Sequence, residues 1–136
     1  MKSDLEEIVK NFISAIEDKK DFNDLVQFYH SNIEQIEFPN LLLKNKTTRN
    51  LNDLKEAFVK GKSVLQGEKY NILNSYILEN KVIIEAEWTG VLGIPVGIKK
   101  AGDELKANFA QFYEFEDGKI VRQRNYDCFE QFWNVK

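Results

Sequence analysis

The sequence predicts an α+β fold in which helices cover one face of a curved, antiparallel sheet. Three observations carry that prediction. Apolar residues recur at helical spacing through most of the first half of the chain. They alternate with period two through the second half. Residues 105–127, LKANFAQFYEFEDGKIVRQRNYD, read as two long strands folded back at Glu116-Asp117-Gly118-Lys119. At 136 residues the chain is expected to form one domain, spanning 1–136, able to bury roughly two-thirds of its unfolded surface.

In chain order, Ser3 followed by Glu6 is a capping-box pattern. Leu5, Ile8, Val9, Phe12, Ile13 and Ile16 then share one stripe, which predicts an amphipathic helix over 4–17. Phe22, Leu25, Val26 and Tyr29 predict a short second helix ending near His30-Ser31-Asn32. Ile33 to Phe38 reads as a strand stopped by Pro39. The three leucines of NLLLKNKTTRN suggest a loop laid on the core or over a pocket mouth. Asn50 is placed to cap a third helix lined by Leu51, Leu54, Phe58 and Leu65, with Gly67 past its end. From Tyr70 two strands follow, joined at Glu79-Asn80-Lys81. Val82, Ile84, Ala86 and Trp88 form the apolar face of the second. GIPVGIKKAGDE connects to the last hairpin, and Phe129, Phe132 and Trp133 make an apolar tail.

On the first strand of that hairpin, Phe109, Gln111, Tyr113 and Phe115 share a face expected to point inward. The return strand carries Ile120, Arg122, Arg124 and Tyr126 on one face and Val121, Gln123, Asn125 and Asp127 on the other. Burying two unpaired arginines is costly, so the second face is expected inside. A two-residue Asp-Gly loop would set Tyr113 opposite Arg122. A three-residue loop with Gly118 in the left-handed region sets Tyr113 opposite Val121 and Gln111 opposite Gln123, and this is the expected register. Several polar groups on an inward face call for partners or a ligand, so a pocket is expected there.

The totals exclude several classes of function. With 19 Lys+Arg against 22 Asp+Glu and a net charge of −3, the chain lacks a nucleic-acid binder's basic footprint. One cysteine, Cys128, rules out an internal disulfide, and one histidine, His30, rules out the usual two- or three-His metal sites. No metal or organic cofactor is expected. The amino terminus has acidic residues at helical spacing and no signal-peptide pattern, and no apolar run approaches the ~20 residues that span a bilayer. A soluble, cytoplasmic protein with no membrane partner is the expectation.

The run FAQFYEFEDGKIVRQRNYDCF at 109–129, with IEFPN at 36–40, WTG at 88–90, IPVG at 94–97 and AGDE at 101–104, resembles the SnoaL-like branch of the nuclear transport factor 2 superfamily. The resemblance covers essentially the whole chain and implies a cone-shaped α+β barrel. In that fold three N-terminal helices pack in the concave face of a strongly curved mixed, mainly antiparallel sheet. Related members include ketosteroid isomerases, polyketide cyclases, limonene epoxide hydrolases, dehydratases and non-catalytic binding or dimerisation domains, so the fold does not choose the chemistry. The cyclases and epoxide hydrolases carry an acid on the last strand in a run resembling Arg-Asp-Tyr. Here the run is Arg124-Asn125-Tyr126, and Asp127, two residues on, is the inward carboxylate that remains. The epoxide hydrolases' polar pair before a proline matches Gln35 and Glu37 before Pro39. Their Arg and Asp on the middle strand match Ala86 and Trp88, so epoxide hydrolysis of that type is not expected.

These readings give a candidate site. Asp127 and Glu37 are the carboxylates on inward faces, where an apolar cavity raises a carboxyl pKa toward the range useful for proton transfer. Tyr113 is either a donor to a developing oxyanion or a core tyrosine with its hydroxyl satisfied. Gln35, Gln111, Gln123 and Asn125 are candidates to bind a substrate oxygen, although Gln111 and Gln123 could instead bond each other across the strands. Phe109 and Trp88 would form the wall or a stacking surface. The expected partner is a small, largely apolar organic molecule bearing a carbonyl or hydroxyl, together with a second copy of the chain through the convex sheet face. Three functions compete: a cofactor-independent isomerase, cyclase or dehydratase; a binding module without chemistry; and a dimerisation domain whose filled core leaves no cavity.

Overall fold

The computed structural model describes residues 2–18 and 21–133, with side chains from Asp4 onward. Its elements are α1 (Lys2–Glu17), α2 (Phe22–Val26), β1 (Tyr29–Glu37), β2 (Thr47–Arg49), α3 (Leu51–Gly61), β3 (Leu65–Leu78), β4 (Lys81–Leu92), β5 (Glu104–Glu116) and β6 (Lys119–Phe129). Three helices pack against one open, mixed sheet of order β2-β1-β6-β5-β4-β3. Only β1 and β6 run parallel; every other neighbouring pair is antiparallel. The α+β architecture with a mainly antiparallel curved sheet is therefore as expected.

The stripe read from α1 is the one that packs. Val9, Phe12 and Ile13 are fully or almost fully buried, flanked by the partly buried Leu5, Ile8 and Ile16. Phe12 meets Phe28, Tyr29 and Tyr113 edge-on, with ring centroids 5.5, 5.4 and 6.1 Å apart. A fully buried side chain of this kind contributes roughly 1.5–3 kcal/mol, so this helix face is what docks α1 on the sheet. Helix α1 begins at Lys2, ahead of Ser3, whose side chain lies outside the described residues.

Several boundaries move. Helix α2 ends at Val26, and Tyr29 and His30 already belong to β1, because pairing with β6 wins over the short helical pattern. The 41–49 stretch contains an unanticipated edge strand, β2, whose Gln35↔Arg49 and Glu37↔Thr47 pairs extend the sheet beyond β1. Leu41 packs on the second core cluster while Leu42 is exposed. Helix α3 ends at Gly61, so Leu65 and Gly67 belong to β3. Its N-terminus is as expected: the Asn50 side chain accepts from Asp53 N at 2.9 Å, and the Asp53 carboxylate accepts from Asn50 N at 3.0 Å. Asn50→Ala should cost about 1 kcal/mol, read as a lower urea midpoint with an unchanged slope.

The closing hairpin corrects the expected register. Asp117 and Gly118 have φ of 54° and 73°, the signature of a two-residue type I′ turn, so Glu116 pairs with Lys119 and Phe115 with Ile120. A bulge then displaces the ladder: Glu114 pairs with Arg122, Tyr113 with Gln123, Gln111 with Asn125 and Phe109 with Asp127. The extra residue is Val121. Ile120 is fully buried, contrary to the expected face, and beyond the bulge Gln123, Asn125 and Asp127 take the inward positions. Arg122 and Arg124 stay outward, paired with Glu34 at 3.2 Å and Glu114 at 2.5 Å.

Candidate functional site

The parallel β1–β6 pairing builds the site. It sets Gln35 beside Gln123 and Glu37 beside Asn125, while β5 brings Tyr113, Gln111 and Phe109 to the other flank of β6. The residues expected to face inward therefore come together in one layer. Gln111 and Gln123, both almost fully buried, do not bond each other, because the bulge has moved them out of register. Instead the Tyr113 hydroxyl donates to Gln111 Oε1 at 2.5 Å, and Gln123 Nε2 donates to Asn125 Oδ1 at 3.0 Å. Two buried acceptors in this layer, Gln123 Oε1 and Asp127 Oδ1, have no partner among the described residues. Buried acceptors of that kind are uncommon in folded proteins and point to a proton, a water or a ligand.

Asp127 is the perturbed acid of the set. Burial, with a further contribution from the neighbouring Glu37 carboxylate, pushes its pKa from 3.8 up to about 7. Glu37 is placed differently: its Oε1 accepts from Arg49 Nη1 at 2.9 Å and its Oε2 from Asn40 Nδ2 at 3.0 Å. Burial likewise holds the hydroxyls of Tyr70 and Tyr113 well above the usual range, with Glu68 the next contribution at Tyr70 and Tyr29 at Tyr113. Both phenols therefore stay protonated near neutral pH. Behind the layer, Trp88 stacks on Phe109 with centroids 5.3 Å apart, and its indole N–H donates to Glu68 Oε1 at 2.9 Å.

A cavity of about 320 Å³ opens between the helices and the β1–β2 end of the sheet. Ile16, Phe22, Leu25, Leu54 and Phe58 supply an apolar wall, and Gln35, Glu37, Arg49 and Glu68 a polar one. A cavity of this size is what the ligand-binding readings expect and what a filled core does not. Of the residues expected at the site, Gln35 and Glu37 line the cavity; Tyr113, Gln111, Phe109, Gln123, Asn125, Asp127 and Trp88 belong to the sheet layer adjoining it. Arg49 and Glu68 are polar lining residues that sequence reasoning missed, and Arg49 is the one beside Gln35 and Glu37. The signal for Arg49 was its position one residue before the Asn50 cap in TTRN, but nothing local placed that stretch beside β1.

Among the described residues, His30, Glu116 and Asp117 could bring three ligand atoms within 4.8 Å of one another. His30 Nδ1, however, accepts from Asn32 N at 3.0 Å, which leaves the ring proton on Nε2, directed at Glu116 Oε2 3.1 Å away. That arrangement satisfies the imidazole as a hydrogen-bonding group and offers no lone pair to a metal.

Residues 9–123 match the SnoaL-like domain, and the chain belongs to this family. Comparison with curated proteins gives no match. Among solved structures, the chain is similar to a nuclear transport factor 2-like protein from Anabaena variabilis, at 15% identity and a TM-score of 0.73, covering 98% of this chain and 93% of that one. It is similar to an LEH-like epoxide hydrolase from M. tuberculosis, at 15% identity and a TM-score of 0.69, covering 95% and 84%. A protein with a ketosteroid isomerase-like fold from Catenulispora acidiphila, in complex with trimethylamine, aligns at 16% identity and a TM-score of 0.68, covering 88% and 84%. At such identities the likeness establishes the fold and leaves the chemistry to the site.

Proposed function

We propose that the chain binds a small, largely apolar organic molecule bearing a carbonyl or hydroxyl and moves one of its protons with Asp127. The reaction class is that of a cofactor-independent isomerase, cyclase or dehydratase. The observation that carries this reading is a carboxyl group with a pKa of about 7 and an unpartnered oxygen, on the polar layer beside an apolar-walled cavity. Glu37, at the cavity surface, is the second candidate for the acid or base. Tyr113 donates to Gln111 and so acts as a positioning residue in this scheme, holding the amide that faces Asn125. The small organic ligand of the Catenulispora acidiphila relative is consistent with a ligand-binding use of the fold.

The test works whatever the net reaction is. Small ketones and enones that bind by NMR are incubated in D2O, and loss of the α-proton signal is followed. Catalysed exchange, slowed at least about 100-fold in Asp127→Asn, is the expected result. A second reading, a binding module without chemistry, is favoured by Asn125, the amide that stands where related cyclases carry an acid. Binding without catalysed exchange would establish it, whereas catalysed exchange that survives replacement of both Asp127 and Glu37 would contradict it and remove those two residues as the base.

The working unit is proposed to be a cytoplasmic homodimer of one domain each. No helix among the described residues is long and apolar enough to cross a membrane. The outward sheet face carries an aromatic cluster in which Tyr126, 39% exposed, stacks on Phe38 at 4.4 Å and meets Phe112 edge-on at 5.6 Å. Tyr126→Glu on that face should shift sedimentation toward the monomer, whereas an unchanged species distribution would place the interface elsewhere.

A further inference from the structure

Arg49 differs from the other arginines among the described residues, because it lines the cavity. Arg122 and Arg124 sit on the outward sheet face with carboxylate partners. Arg49 is the last residue of β2, paired across the ladder with Gln35, and the capping box that starts at Asn50 fixes the backbone immediately after it. Its Nη1 donates to Gln35 Oε1 at 3.2 Å and to Glu37 Oε1 at 2.9 Å, two side chains at alternate residues on one face of β1. Asn40 holds the other oxygen of Glu37, so the carboxylate that orients the guanidinium is itself oriented. Among the described residues, Nη2 and Nε have no protein partner, although the side chain is only 20% exposed.

The chemistry of that free edge is specific. A guanidinium stays charged at any working pH, and Nε with Nη2 presents parallel N–H donors in one plane, a geometry that suits negatively charged oxygen. A neutral hydroxyl or ether would leave part of the fork unmatched. Glu37 offsets some of the charge, which tempers the site without using the free edge.

We infer that Arg49 recognises an oxyanion, so that the cavity takes an apolar ligand carrying a carboxylate, phenolate or enolate oxygen, its body lying against Phe22, Leu54 and Phe58. This rests on the proposed function, in which the cavity is the ligand site. In an enolisation, the C–H bond breaks, the proton passes to Asp127, and the electron pair is delocalised onto the oxygen held by Arg49.

The test is the ionisation of bound 4-nitrophenol, read from its absorbance, with 4-nitroanisole as the neutral control. Burial in an apolar cavity alone raises a phenol's pKa, whereas an adjoining guanidinium lowers it, so the sign of the shift decides. The expected result is a pKa lowered by about one unit or more on the wild-type chain. It should rise above the free value in Arg49→Gln, recover in part in Arg49→Lys and fall further in Glu37→Gln. A raised pKa on the wild-type chain overturns the inference even if Arg49→Gln fails to fold, and so does a lowered pKa that survives Arg49→Gln. If nitroanisole binds and nitrophenol stays neutral, the inference falls while the cavity remains the ligand site. If neither perturbs the NMR signals of cavity residues, both readings fall.

Discussion

Asp127→Asn is expected to make the protein more stable above neutral pH and far less active. In the unfolded chain this carboxyl ionises at its ordinary value of 3.8, and in the folded chain at about 7. Between those values the folded state holds a proton that the unfolded state has released, so the group's contribution is fully present below 3.8 and is lost as pH rises through about 7. At about 1.4 kcal/mol per pH unit, the loss amounts to at most about 4 kcal/mol, less to the extent that solvent reaches the partly exposed side chain. An amide of the same shape removes the ionisation. Denaturant midpoints at pH 8.5 should therefore rise in the variant, while those near pH 4 should hardly differ. Proton exchange on a bound carbonyl compound should fall by about 100- to 10,000-fold. In the wild type that exchange should increase as pH passes through about 7, the range over which stability declines. A variant less stable than wild type at pH 8.5 would mean that Asp127 is held by a favourable contact and is no strained base.

The opposed demands on Asp127 also explain which parts of the molecule were legible in the sequence. Helix α1 and strand β4 follow from single periodicities, 3.6 and 2, whose apolar members Val9, Phe12, Val82 and Ile84 have no competing role. The return strand β6 is different, because two local signals disagree. Asp117-Gly118 asks for a two-residue turn, and Arg122 asks to stay in solvent; strict alternation cannot grant both. The bulge at Val121 reconciles them, and a bulge leaves no mark in the hydrophobic pattern. The inward identity of Gln123, Asn125 and Asp127 was accessible from the cost of burying arginine, whereas their partners were not, since partners depend on register. Arg49 was hidden for another reason. Strand β2 is three residues long with no apolar alternation, and its place beside β1 depends on pairing across the 38–46 loop. The β1–β6 contact that brings Glu37 to Asp127 is likewise non-local, joining residues 90 positions apart in the chain. Sequence periodicity finds faces, and the site is made by which faces meet.

Gly97→Ala is expected to destabilise the protein about as much as removing the Phe132 ring. Gly97 has φ of +58°, and a Cβ there would lie 2.0 Å from the carbonyl oxygen of Phe132. The obstacle is backbone, and that same oxygen accepts from Ile98 N at 2.7 Å, so it has nowhere to yield without breaking the contact. The left-handed conformation alone costs an alanine roughly 1–2 kcal/mol. Displacing the Phe132 carbonyl adds more, because its ring is fully buried among Trp88, Leu92, Leu105 and Phe109. Phe132→Ala should cost about 3–5 kcal/mol. If the alanine at 97 acts by undocking Phe132, the double variant should be only about 1–2 kcal/mol worse than Phe132→Ala alone. Full additivity in urea denaturation would show that the strain stays local to the 94–97 turn. The distinction bears on the site, since Trp88 stacks on Phe109 and Phe109 lies opposite Asp127. Undocking Phe132 loosens the apolar backing that keeps water from that carboxyl. Asp127 in Gly97→Ala should then titrate below about 7, nearer its ordinary value. An unchanged titration would mean that Glu37 and the β1–β6 layer hold Asp127 without help from the C-terminal segment.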